Sequence, residues 1–270
     1  MNSAAPRRTF LAQALVSGAA GAVGVSTMIQ SGEAAPQAAA PRQFYELGIY
    51  QLTAGMQSRA DECFEHAMLP AAARAGAGPI GVFVDSTKAD SPVMYVLIPH
   101  VGREAVGALM KALHDDAEYQ KAGKPFIAAS AKDPSYSNHE VRLMLAAAFM
   151  PALDAPEKKE TRVFELRRYR SPSEAAFRKK LEMFATSELA IFRRVGLNPV
   201  FFGEMLFGPD MPNITYMLTY PDAAARGKAW AEFGKNPDWQ KLRVTPGYTD
   251  AEIISNISSI MLKPASYSQI

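Results

Sequence analysis

The sequence predicts an α+β protein built as two tandem β-α-β-β-α-β units, ferredoxin-like in element order, that close into one barrel. Three observations predict this. Phe44-Tyr45-Glu46-Leu47 with Tyr50 returns as Val163-Phe164-Glu165-Leu166 with Tyr169, displaced by 164 − 45 = 119 positions. Gly76 with Pro79 returns as Gly196 with Pro199, at 196 − 76 = 120. Glu118-Tyr119-Gln120-Lys121 returns as Asp238-Trp239-Gln240-Lys241, at 238 − 118 = 120. Near-constant spacing across three separate motifs is the mark of a duplicated structural unit.

Each element follows from local pattern. The opening motifs alternate apolar and polar residues and read as strands. Helices follow, with apolar residues three and four apart: Ala60, Phe64, Ala67 and Met68 in the first unit, Phe177, Leu181, Phe184, Leu189 and Phe192 in the second. A glycine after the last turn and a proline just beyond it stop both helices. Strand-like runs come next at residues 80–84 and 93–98, and at 200–206 and 214–220. The Tyr119 and Trp239 signatures end a second helix in each unit, and final strands are expected near 140–149 and 252–262. Prolines and the charged run Glu157-Lys158-Lys159-Glu160 mark a connector. The expected organisation is a leader and linker over 1–40, a first repeat over 41–150, a connector over 151–161 and a second repeat over 162–270.

The leader has its own chemistry. Arg7-Arg8-Thr9-Phe10-Leu11 precedes a run rich in Ala, Gly and Val, the pattern of a twin-arginine export signal, and this predicts a periplasmic or secreted protein. The apolar run is interrupted by Gly18, Gly21, Gly24, Ser26 and Thr27, so no permanent membrane span is expected in the mature chain. Net charge is only +2, from 29 basic and 27 acidic residues, and this argues against a nucleic-acid partner. A single cysteine, Cys63, excludes an intrachain disulfide, and it reads as a buried, unreactive thiol. The four histidines form no His-x-x-x-His or His-Glu-x-x-His pair, so no metal site is indicated. Phosphate-binding glycine loops and a nucleophile elbow are missing too, and no cofactor is indicated.

Phe164-Glu165-Leu166-Arg167-Arg168-Tyr169, Gly196-Leu197-Asn198-Pro199-Val200 and Pro237-Asp238-Trp239-Gln240 resemble the NIPSNAP family, in that order and spacing. In the first repeat Phe64-Glu65-His66 to Leu69-Pro70 is similar to the family's helix. The resemblance runs across residues 43 to 264. It implies a barrel of the dimeric α/β kind and no particular reaction, because the family shares no established one. Gly48 stands where the second repeat has Arg167, so any site is expected to be asymmetric.

Strand parity supplies the candidate site. Tyr45, Leu47 and Ile49, with Phe164 and Leu166, point to one face and suit packing under helices. Glu46 and Tyr50, with Glu165, Arg167 and Tyr169, point to the other, which is expected to line the barrel interior, either as a self-satisfying network or around a ligand. His66 is a further candidate contact from its helix. Glu46 or Glu165 is the candidate base in any reaction, with the tyrosines as proton donors. The reading is an exported protein that binds a small hydrophobic molecule or acts without catalysis, and it leaves open whether the chain is an enzyme. Two alternatives stand beside it: an oxygenase- or isomerase-like enzyme of the small α/β-barrel kind, and a protein-interaction module, with further homo-oligomerisation open.

Overall fold

A computed structural model describes residues 41–270 apart from 86 and 88–91. The predicted leader over residues 1–40 lies outside the described residues. Strand β1 (Phe44–Leu52) leads into α1 (Gln57–Cys63), a π-helical turn (Phe64–Met68) and α2 (Leu69–Arg74). Strands β2 (Gly81–Asp85) and β3 (Val93–His100) follow, then α3 (Glu104–Asp115), α4 (Ala117–Ala122), α5 (Lys124–Ile127) and β4 (Tyr136–Ala146). The second repeat retraces this path. It runs through β5 (Val163–Arg170), α6 (Glu174–Met183), a second π-helical turn (Phe184–Glu188), α7 (Leu189–Val195), β6 (Asn198–Phe207) and β7 (Asn213–Tyr220). It ends with α8 (Ala223–Lys235), α9 (Pro237–Leu242), α10 (Asp250–Ile253) and β8 (Asn256–Pro264).

Within each repeat the strands lie in the order β4-β1-β3-β2 and β8-β5-β7-β6, and all pairings are antiparallel. Two seams join the repeats. Strand β2 pairs with β8 (Phe83 opposite Pro264, Asp85 opposite Leu262), and β4 pairs with β6 (Leu143 opposite Phe207, Ala146 opposite Gly203). The result is the closed eight-stranded barrel that the duplication predicts. Closure needs close approach at the seams: a Cβ on Gly203 would stand 2.8 Å from Cβ of Met144. The glycine stop is also as expected, since Gly196 adopts φ 84° as the left-handed cap of α7.

Two boundaries differ from the expected ones. The fourth strand starts at Tyr136, because Tyr50 and Leu52 of β1 already pair with His139 and Tyr136. The last strand starts at Asn256, because Thr249 and Glu252 form a reciprocal capping box that turns residues 250–253 into helix.

The larger correction concerns the two sheet faces. The expected parity is present, but the faces are exchanged. Tyr45, Leu47, Ile49, Phe164 and Leu166 do not lie under helices. They join Phe83, Tyr95, Met144, Phe201, Met217 and others, contributed by all eight strands, in one core that fills the barrel interior. Glu46, Tyr50, Glu165, Arg167 and Tyr169 face outward, beneath the helices. The physical reason is that a barrel this narrow has room for side chains only, and buried volume there is best filled by apolar groups with no hydrogen bonds to satisfy. Polar side chains fit the outer face, where helix-borne partners reach them.

Candidate functional site

The outer face of each half-sheet and the helices above it enclose a cleft, and the two clefts have opposite contents. In the second repeat the cleft is closed. Glu165, fully buried, accepts hydrogen bonds at Oε1 from Arg167 Nη1 (2.6 Å), Arg226 Nη2 (2.8 Å) and Ser259 Oγ (2.6 Å). Its Oε2 accepts from Tyr220 Oη (3.0 Å), Arg226 Nε (2.9 Å) and Trp230 Nε1 (2.8 Å). Burial alone would push this carboxyl upward. The bonds from Arg226, Ser259 and Trp230 and the charge of Arg167 outweigh it and hold the pKa at about 2. The guanidinium of Arg167 occupies the centre. Its Nε and Nη2 donate to Tyr216 Oη (3.0 Å) and Tyr169 Oη (3.2 Å), and its Cζ lies 4.5 Å from the centroid of the Trp230 ring. Beside it Lys180 donates to Glu188 at 2.6 Å, both buried, with the ammonium 4.3 Å from the Phe184 ring centroid.

The first repeat lacks the residues that do the filling. The register places Gly48 opposite Val96, where the second repeat has Arg167 opposite Tyr216. Ala60 and Met68 stand where the second repeat has Lys180 and Glu188, displaced by 180 − 60 = 188 − 68 = 120. What remains is a cavity of about 270 Å³. Its sheet wall is Glu46, Gly48, Tyr50, Val96, Ile98 and His139. Its helix wall is Cys63, Phe64, Met68, Leu113, Tyr119, Phe126 and Ile127, and Tyr136 closes one side. The π-helical turn supplies part of this wall through Phe64 and Met68, both buried.

The cavity is aromatic and sparsely hydrogen-bonded. Tyr50 packs edge-on to Phe64 (5.5 Å), Phe126 (5.9 Å) and Tyr136 (5.5 Å) and stacks on His139 at 4.0 Å. Among the described residues, the hydroxyls of Tyr50, Tyr119 and Tyr136 and the ring nitrogens of His139 have no hydrogen-bond partner. Burial, then Tyr119, Tyr136 and Glu46, raise the Tyr50 hydroxyl above its ordinary pKa, and burial takes Tyr119 to about 12. Burial lowers the His139 imidazole, partly offset by the charge of Glu46. These groups are therefore neutral near pH 7. Cys63 is buried and its thiol is pushed up to about 11, which agrees with an unreactive reading. Glu46 differs most from its counterpart: Oε2 meets Nε2 of buried His100 at 3.1 Å, and Oε1 has no partner among the described residues.

The candidate residues thus divide. Glu46 and Tyr50 come together in the open cleft, and Glu165, Arg167 and Tyr169 in the closed one. His66 joins neither. Its side chain is 62% exposed on the outer side of the π-helical turn, 3.9 Å from Glu62 and from Glu65. Sequence reasoning missed Tyr119, Phe126, Tyr136 and His139 as cleft residues, and His100 as the buried partner of Glu46. Only Tyr119 carried a signal, as part of the repeated Glu-Tyr-Gln-Lys motif. Trp230, which donates to Glu165, is a further residue of the closed cleft.

Comparison with known proteins agrees with this architecture. Residues 164–269 match the NIPSNAP family model. A provisionally assigned monooxygenase of Fusobacterium nucleatum superposes with a TM-score of 0.57 at 8% identity, covering 83% of this chain and 93% of that one. A second, from Lactobacillus acidophilus, gives 0.54 at 10% identity, covering 83% and 94%. An uncharacterized NIPSNAP-like domain protein of Burkholderia xenovorans aligns at 21% identity over 41% of this chain and 90% of its own, with a TM-score of 0.36. No curated protein gives a significant match. The second repeat is thus similar to NIPSNAP domains, and the two-repeat α+β barrel around it shares its fold with the Fusobacterium and Lactobacillus proteins.

Proposed function

We propose that the chain binds a small, largely hydrophobic molecule in the cleft of the first repeat, and that the second repeat serves as its structural half. One observation carries this reading: a cavity of about 270 Å³ opens where Gly48 and Val96 replace the Arg167 and Tyr216 that close the equivalent cleft. That volume is near the small end of ligand pockets, about 300–1,000 Å³, and the mixture of apolar walls with a few convergent polar groups is typical of them. The test is isothermal titration with 2-naphthol, a flat probe with one hydroxyl. Binding that is lost in Gly48→Arg supports the reading. Equal heats from wild type and Gly48→Arg would place the probe elsewhere and sink it.

A second reading, an enzyme acting on the bound molecule, has the Glu46–His100 pair behind it, since a carboxylate beside an imidazole can take up a proton from a ligand. The monooxygenase assignments of the two structural relatives lend this reading a reaction class. Loss of turnover of a bound substrate in Glu46→Gln, with binding retained, would favour it. Export rests on Arg7-Arg8-Thr9-Phe10-Leu11 and is tested by fractionating cells that carry wild type or an Arg7→Lys, Arg8→Lys double variant. No helix among the described residues is long and apolar enough to cross a membrane. Homo-oligomerisation is proposed from exposed apolar side chains such as Val101 and Phe207, and native mass spectrometry reads it directly.

A further inference from the structure

The second repeat shows what its cleft holds when full. Its occupant is a guanidinium, Arg167, anchored on a carboxylate, hydrogen-bonded to two tyrosine hydroxyls and covered by aromatic rings. The duplication has kept two of those anchors in the first repeat. Glu46 stands at the position of Glu165, and Tyr50 at the position of Tyr169, both displaced by 119. The cation itself has no counterpart, because its position is Gly48. From this we infer that the first-repeat cleft recognises an organic cation, a guanidinium carried on an apolar body, whose charged end takes the place that Arg167 fills in the second repeat.

Three features support the inference, which rests on the reading of this cleft as a ligand site. Open acceptor capacity is the first: fully buried Glu165 accepts six hydrogen bonds, whereas Glu46, its side chain 22% exposed, accepts one from protein and keeps the rest of its acceptor positions accessible to a ligand. A guanidinium offers five N–H donors in a planar fork and fits an under-bonded carboxylate. Charge is the second. The lining holds no Lys or Arg, and Glu46 is its one acidic side chain. Its charge is felt along the sheet wall, at Tyr50 and His139. Ring chemistry is the third: Tyr50, Phe64, Tyr119, Phe126 and Tyr136 present aromatic surface of the kind that attracts weakly hydrated organic cations.

The experiment compares benzylguanidine with benzylurea, a neutral molecule of nearly the same shape, by isothermal titration of the full chain at pH 7. The expected result is at least tenfold tighter binding of the guanidine, with the preference lost in Glu46→Gln and binding of both probes blocked in Gly48→Arg. A Cβ at residue 48 meets its neighbours at 3.4 Å or more, so the arginine variant should fold. Tyr136→Leu, at the partly exposed rim, gives a second variant and should weaken the guanidine more than the urea. Equal affinity for the two probes would overturn the cation inference and leave the cleft as a ligand site. If neither binds while 2-naphthol binds in a manner sensitive to Gly48→Arg, the inference falls and the site reading stands. If none of the three probes binds, both fall.

Discussion

Glu165→Gln tests whether the closed cleft is a source of stability. The folded carboxyl is held at about 2 against an ordinary 4.5, so it binds its proton about 300-fold more weakly than in the unfolded chain, and this is roughly 3 kcal/mol of stability near neutral pH. The side chain is fully buried, so solvent does not screen this contribution away. The sign follows from proton uptake. As pH falls through about 4.5 the unfolded chain takes up the proton first, so wild-type stability is intact above 4.5 and is lost progressively toward pH 2. The amide of the variant has no such titration and leaves Arg167 and Arg226 facing a neutral acceptor. In urea unfolding the variant should be about 3 kcal/mol less stable at pH 7, with Tm lower by roughly 10 °C for a domain of this size. The difference should shrink toward zero near pH 2. A loss at pH 7 below about 1 kcal/mol, or one of equal size at both pH values, would refute the view that this carboxylate anchors the second repeat as an ion.

Three further outcomes are expected. Gly203→Ala should destabilise the barrel by about 1–3 kcal/mol in the same unfolding assay, because the new methyl would stand 2.8 Å from Cβ of Met144 across the seam between repeats. Lys180→Met alone should cost about 3–5 kcal/mol by stranding the buried Glu188 carboxylate, whereas Lys180→Met with Glu188→Met should recover most of it; a double variant as unstable as the single one would show that the pair is not the cause. Cys63, with its thiol near 11, should react with iodoacetamide at pH 8 far more slowly in the folded protein than in urea, and comparable rates would contradict its burial.

The legible parts of this fold were the ones that repetition makes legible. The 119–120 displacement located both opening strands and both helix stops, and from these came the element order and the closed barrel. What parity could not give was the sign of the faces. Alternation separates Tyr45 and Leu47 from Glu46, but whether the apolar set lies under helices or inside a barrel depends on closure by strands far away in sequence. The cleft was legible only as the asymmetry of Gly48 against Arg167. Tyr119, Phe126, Tyr136 and His139 come from α4, α5 and β4, and their convergence on Tyr50 is set by how those helices cross the sheet, for which no local pattern exists. Glu165 was a named candidate, but its donors Trp230, Arg226 and Ser259 lie up to 94 residues away.

The duplication also bears on why the two clefts differ. A barrel made from two separate chains presents identical clefts, so a substitution that empties one empties both and removes the anchoring network from the whole assembly. Joining the repeats in one chain lifts that coupling. Here the second cleft holds a carboxylate with six hydrogen bonds and the buried Lys180–Glu188 pair, while the first has Gly48, Val96, Ala60 and Met68 where the second has its arginine, inner tyrosine and buried pair. Were the first cleft only a relaxed copy, free of any task, its half-buried carboxylate, with one hydrogen bond to protein, would be under little constraint to remain. Glu46 and its His100 partner are nonetheless present, at the edge of a cavity with hydroxyls that have no partner among the described residues. Under the ligand reading proposed above, the open acceptor positions of this half-buried carboxylate are where the donors of the bound molecule sit.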